Sequence, residues 1–198
     1  ADVETGVDQV EVYLGTRLAP GFFAWLVPTQ QGRALAGLLA RRDTKAHMEA
    51  FLHYLKDEGK TPSDKVPFKF GGIPLRPLPR TFGNRVIVVG DAAGQVKPTT
   101  GGGIYYGLLC ADIAIDVLDR AMAGGDLSAR TLADYERRWK KLLDRELRID
   151  RLARRAFERL SDRRIERLFH LVQDSRATES LLNAPDFSFD WHSRLIMK

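Results

Sequence analysis

The sequence predicts an α+β chain, and three observations carry that expectation. Near the start, Val10 to Leu14 alternates apolar and polar-edged positions, and the apolar run Phe22 to Val27 follows it after a turn, as paired strands do. In the middle, Val86 to Val89 ends in Gly90-Asp91 and leads through Gly101, Gly102 and Gly103 into a helical pattern. From about Ser128 onward, apolar residues recur three and four positions apart, the spacing of helix faces. The expected order is antiparallel strands with a helix, then a strand–helix unit, then a helical tail.

The elements follow in order. Gly15 to Gly21, ending in Pro20-Gly21, reads as a turn, so residues 10 to 27 are an expected hairpin. Arg33 to Ala40 is ambiguous by pattern and is read as a third strand. Asp43 or Thr44 is positioned to cap a helix whose apolar face is Met48, Phe51, Leu52 and Leu55, closed by Gly59. Pro62 to Pro79 is rich in Pro and Gly and holds short extended pieces at Val66 to Phe70 and Ile73 to Arg76. The helix opened by Gly101 to Gly103 runs to about Met122 and stops at Gly124-Gly125. The next begins near Ser128 and carries Leu132, Tyr135, Trp139, Leu142, Leu143, Ile149, Leu152, Ala156, Phe157 and Leu160 on its apolar face. Ser161 caps another with Ile165, Leu168, Phe169 and Val172 inside. Residues 174 to 198 read as irregular.

At 198 residues, the chain suits one domain or two small ones. Its 44% apolar and 29% charged residues are ordinary for a globular protein. No apolar run approaches the roughly 20 residues that span a bilayer, and Ala1 to Thr5 does not read as a signal peptide. Cys110 is the only cysteine, which excludes an internal disulfide and fits a reducing, cytoplasmic setting. Residues 130 to 167 hold 14 Lys/Arg against 8 Asp/Glu, a local +6 that leaves the rest of the chain near −1. The basic character therefore belongs to one segment.

Residues 85 to 104 carry the chemistry. A strand ending in Gly90-Asp91 places one carboxylate at a sheet rim, where open α/β folds bind ligands. A Gly-rich helix start adds free backbone N–H groups and about half a positive charge. Together they suit a polyhydroxylated, anionic cofactor. The strand, Gly90-Asp91-Ala92-Ala93, Pro98 and the Gly101-Gly102-Gly103-Ile104 helix start resemble the second FAD-contacting segment of flavoprotein oxidoreductases and hydroxylases, and most of all the geranylgeranyl reductase family. The resemblance implies that Asp91 bonds the ribityl chain of FAD, that Ala92 and Ala93 let backbone and cofactor come close, and that Pro98 fixes the turn. It implies further that the amides of Gly101 to Ile104 face the isoalloxazine ring and favour its anionic reduced form.

Phe23-Ala24-Trp25-Leu26-Val27-Pro28 is similar to the Tyr-x-Trp-x-Phe-Pro motif that geranylgeranyl reductases place on a pocket-lining strand. By period two, Phe23, Trp25 and Val27 share one face, and the resemblance makes them the expected lining for a long apolar substrate. Phe23 lacks the tyrosine hydroxyl, Val27 is smaller than the usual Phe, and of the glycine pair that follows, Gly37 matches while Leu39 takes the second place. The competing reading is that these aromatics are plain core.

Other motifs fall away. Gly59-Lys60-Thr61 copies a P-loop tail, but Tyr54 stands where the first glycine belongs. Gly101-x-Gly103-x-x-x-Gly107 has the wrong final gap for a dinucleotide fingerprint. His47 and His53 lie on different sides of a helix, His170 and His192 lack partners at ligand spacing, and no metal site is expected. Lys97 is the one basic residue expected to approach the cofactor. No protein acid or base is identifiable, and no nucleophile elbow occurs.

The resemblance thus implies a mostly antiparallel substrate-side sheet (1–79), the C-terminal part of an FAD-binding domain (80–125) and a helical C-terminal extension (126–198). An N-terminal Rossmann half is expected outside this chain. The implied activity is FAD-dependent reduction of carbon–carbon double bonds in an isoprenoid chain, with NADPH or another external electron donor. The rivals are a flavin monooxygenase or halogenase, an electron-transfer flavoprotein dehydrogenase, and a non-catalytic membrane-surface module. For residues 130 to 167, a packed helix with a solvated charged face is preferred over peripheral contact with an anionic membrane, and nucleic-acid binding comes last.

Overall fold

A computed structural model describes residues 1–30, 32–174 and Trp191. The chain divides into two compact units, one formed by Ala1–Gly71 with the chain from Ala156 to the end of the last helix, the other by Gly72–Arg155 with Trp191. The boundaries fall at 71/72 and 155/156, whereas the sequence reading placed them at 79/80 and 125/126.

The first unit is a four-stranded antiparallel sheet with a helix on one face. Strands β1 (Asp2–Glu4), β2 (Glu11–Leu14), β3 (Phe23–Gln30) and β4 (Arg33–Leu38) lie in the order β1-β4-β3-β2. The expected hairpin pairs Glu11 with Leu26 and Leu14 with Phe23. The ambiguous run is indeed a strand, pairing Trp25 with Gly37 and Val27 with Leu35, with a register shift between Pro28 and Gln30. Pro28 has no N–H to give to a ladder, which suits the irregularity. β1 was not foreseen. Three residues carry too little periodicity to be read, and the strand exists by pairing Val3 with Ala34.

Helix α1 (Thr44–Asp57) buries Met48, Phe51, Leu52 and Leu55, the face its spacing predicts. These meet Val3, Ala24, Leu26, Ala34 and Ala36 from the sheet. Asp43 precedes the helix but does not cap it with its side chain. It sits in the left-handed region at φ 50°, where its carboxylate makes no cap bond. Gly59, at φ +68°, closes the last turn as expected.

In the second unit, β5 (Phe82–Gly83) and β6 (Val86–Ile87) form a two-residue hairpin ladder. The backbone stays extended through Val89, but the short partner limits the ladder. The extended pieces expected in 66–70 and 73–76 form no strand: the segment is irregular, with no neighbour to pair with among the described residues. A 3₁₀ turn (Gly90–Ala93) follows β6, then α2 (Ile104–Ala123) and α3 (Ala129–Phe157). Tyr106, Cys110, Ala114, Val117 and Ala121 of α2 pack with Leu132, Tyr135, Trp139, Leu143 and Leu147 of α3. The outer side of α2 exposes Ile104, Leu108, Ile115 and Met122.

The apolar seam read for α3 holds only to Leu147. From Glu146 on, the buried side carries Glu146, Asp150 and Arg154, while Leu152, and before it Leu142, are exposed. Helix α4 (Asp162–Asp174) starts at Ser161, whose carbonyl accepts from Arg164 and Ile165. Ile165 is buried, but Leu168 and Phe169 are half exposed and not inside as expected. The Val172 side chain and the irregular reading of 175–190 lie outside the described residues. Among the described residues, no helix is long and apolar enough to cross a membrane.

Candidate functional site

The second unit brings the predicted carboxylate and the helix start together. Gly90, at φ +68°, begins the 3₁₀ turn, and Gly94, at φ +70°, ends it, with the Gly94 N–H donating to the Asp91 carbonyl at 2.9 Å. The turn lies on the first turn of α2, where Gly90 and Gly107 meet backbone to backbone. A Cβ on Gly107 would sit 3.5 Å from Gly90 Cα. Asp91 is exposed, and its carboxylate reaches over Gly103, the residue that precedes α2. A Cβ on Gly103 would come within 2.1 Å of Asp91 Oδ1 and 2.8 Å of Val96 Cγ1, so any larger residue there would push the carboxylate aside.

Helix α2 has no side-chain N-cap, so the dipole of a 20-residue helix opens beside that carboxylate. The approach loop is tied by two backbone bonds, Lys97 N–H to the Gly102 carbonyl at 2.9 Å and Gly101 N–H to the Lys97 carbonyl at 2.8 Å. Gly101 needs its glycine for φ +74°. Pro98 is buried, whereas Gly102 and Ile104 are exposed. Ala92 is exposed but Ala93 is fully buried, its carbonyl accepting from Leu78 at 3.0 Å, so its small size serves packing inside the unit. Lys97 is largely buried, its ammonium 5.7 Å from the centre of the Tyr106 ring. Burial pushes the Cys110 thiol up to about 12, making it a packing residue.

Three supports went unread in the sequence. Gln95 is fully buried: its Oε1 accepts from Gly90 N–H at 2.8 Å, and its Nε2 donates to the Tyr135 hydroxyl at 2.9 Å. Tyr135 donates in turn to the Val88 carbonyl at 3.1 Å. Thr81 gives its N–H and hydroxyl to Glu136 Oε2 and accepts from Trp139 Nε1 at 2.9 Å. Gly94 is the third: its missing Cβ makes room for the Arg76 carbonyl, which would otherwise lie 2.1 Å away. None of the three has a local sequence signature, because Tyr135, Glu136, Trp139 and Arg76, which fix them, are far along the chain.

The aromatic strand belongs to the first unit. Ala24 and Leu26 point into the core under α1, and Phe23, Trp25 and Val27 stand on the opposite, half-exposed face. Phe23 and Trp25 pack with ring centroids 5.7 Å apart. Trp25 lies across Gly37, where a Cβ would be 2.4 Å from its ring. Val12 and Leu35, the cross-strand neighbours of Trp25 and Val27, are 58% and 49% exposed, so this face is an open apolar surface and not core. Gly59-Lys60-Thr61 is structural: Lys60 pairs with Glu11 at 2.6 Å. Among the described residues, no cluster of ligand-type side chains could hold a metal.

No family model matches the sequence. The chain is 33% identical over 177 residues to digeranylgeranylglycerophospholipid reductase 2 of Methanothermobacter thermautotrophicus, covering 87% of this chain and 45% of that protein. It is 35% identical over 174 residues to the digeranylgeranylglycerophospholipid reductase of Methanocaldococcus jannaschii, covering 85% and 44%. Over the part it spans, the chain is similar to these reductases. A geranylgeranyl bacteriochlorophyll reductase-like protein of Thermoplasma acidophilum shares the fold, with a TM-score of 0.80 over the whole of this chain and 50% of that one, at 22% identity. The chain therefore spans about half the length of the geranylgeranyl reductases it matches.

Proposed function

We propose that this chain supplies the flavin-holding turn and the substrate-facing sheet of an FAD-dependent oxidoreductase that reduces carbon–carbon double bonds of an isoprenoid lipid. The observation that carries the reading is the exposed Asp91 carboxylate beside the uncapped start of α2, over a glycine whose missing side chain leaves room for it. A carboxylate accepts hydrogen bonds from the hydroxyls of a ribityl chain. The helix start and the Gly101 to Ile104 backbone favour negative charge on a reduced ring. FAD, when bound, supplies the hydride chemistry, with electrons from an external donor such as NADPH.

The open face of Phe23, Trp25 and Val27, flanked by Val12 and Leu35, suits a long apolar chain. The names of the relatives, digeranylgeranylglycerophospholipid reductases, support a lipid substrate. The apolar stripe on α2 offers a surface for the remainder of a full-length reductase to cover.

Asp91→Ala and Gly103→Ala in the full-length gene product test the flavin reading by titration of FAD fluorescence. Asp91→Ala should weaken FAD about tenfold or more, the loss of a charge-assisted bond, with little change in thermal midpoint because Asp91 is exposed. Gly103→Ala should weaken it similarly by displacing the carboxylate. Unaltered FAD affinity in both variants would sink the proposal.

A further inference from the structure

The second unit also gathers arginines for which the flavin reading has no use. Arg148, Arg151 and Arg155 recur on α3 at spacings of three and four, so they share one side of the helix over roughly 10 Å. Arg76 joins them from a different segment, whose backbone is fixed at both ends. Its carbonyl lies against Gly94, Leu78 bonds Ala93, and Thr81 is bonded to Glu136 and Trp139 of α3. Arg151, half buried between Arg148 and Arg155 on the helix, has its pKa lowered by desolvation first and then by the positive charges of Arg76, Arg148 and Arg155.

The one carboxylate that Arg151 feels among the described residues is Asp144, paired with Arg148 at 3.2 Å. Among the described residues, Arg76, Arg151 and Arg155 have no ion pair. Like charges held together by a fixed backbone are unfavourable unless an anion offsets them, and planar guanidinium donors match phosphate oxygens. Leu152, between Arg151 and Arg155 in the sequence, is 63% exposed, and no aromatic platform for nucleic-acid bases is among the four cations. An apolar side chain beside a phosphate-type cluster fits a lipid better than a nucleic acid or a free ion.

We propose that Arg76, Arg148, Arg151 and Arg155 form a subsite for the phosphate headgroup of a glycerophospholipid. The assignment rests on the lipid-reductase reading for the identity of the lipid, though not on the flavin turn. The backbone of Arg76 packs on Gly94, at the end of the Asp91 turn, so the subsite adjoins that turn.

The test is flotation of the full-length gene product with three kinds of vesicle: phosphatidylcholine alone, with phosphatidylglycerol, and with uncharged diacylglycerol. Phosphatidylglycerol vesicles should bind best. Arg76→Gln and Arg151→Gln should each lower the apparent affinity about tenfold, with Arg151→Lys between them and wild type. Arg130→Gln, on the same helix but outside the cluster, should bind as wild type. Flavin content, read by absorbance on the same samples, should stay constant. Equal binding by wild type and both Gln variants, or equal binding to diacylglycerol vesicles, overturns the proposal. So does displacement of the vesicles by inorganic phosphate at low millimolar concentration, or tighter binding of a single-stranded oligonucleotide. Headgroup binding without any flavin would support this subsite while removing the reductase reading.

Discussion

Gly94 shows how one absent side chain can hold a site in place. Its φ of +70° is strained for other residues, and a Cβ would meet the Arg76 carbonyl at 2.1 Å. Gly94→Ala should therefore cost about 2–4 kcal/mol of unfolding free energy, measured by urea denaturation, since backbone cannot step aside as a flexible side chain can. Tyr135 gives a second residue-scale prediction. Desolvation pushes its hydroxyl up to about 12, above the value near 10 expected in an unfolded chain. The raised folded pKa means that the Tyr135 contribution is complete below about pH 10 and is lost as pH climbs from 10 towards 12. Tyr135→Phe leaves Gln95 Nε2 without its acceptor and should cost about 1–3 kcal/mol at pH 8. The gap from wild type should narrow at pH 11, and a gap independent of pH would refute the assignment.

At the scale of the element, β3 separates two functions by its alternation. Leu26 is fully buried against α1, whereas Trp25, one residue away, lies on the open face. Leu26→Ala should cost about 2–5 kcal/mol. Trp25→Ala should change stability by less than about 1.5 kcal/mol while raising KM for an isoprenoid substrate several-fold. Comparable destabilisation by both would return Trp25 to the core reading. Periodicity made this strand, α1 and α2 legible as elements, although β3 and α2 carry apolar residues on their outward sides as well. It failed on α3 from Glu146 onward, where the buried side carries Glu146, Asp150 and Arg154. A pattern of apolar residues cannot report a buried charge, so Leu142 and Leu152 were assigned to the wrong side.

At the scale of the molecule, the chain folds as two units, each with its own apolar cluster. Residues 65 to 73 run between them without regular structure, and Lys65 and Lys69 are exposed there. Limited trypsin digestion should cut first at these lysines, identified by the masses of the fragments. Early cleavage within α2 or α3 would contradict the division. The resemblance implies three segments, with bounds at 79 and 125. Contacts instead join α2 and α3 in one core.

Residue types and local spacing were enough to determine the α+β class, the hairpin, the buried face of α1, and Gly90-Asp91 with the glycine-opened helix as a candidate cofactor turn. They suffice because each depends on neighbours within about one or two turns of the chain. The tertiary structure alone decided that Asp91 lies over Gly103, that Phe23, Trp25 and Val27 face outward, that Gln95 and Tyr135 brace the turn, and that Arg76 joins the arginines of α3. Those facts depend on which distant backbones come within a few ångströms, and no local pattern encodes that distance.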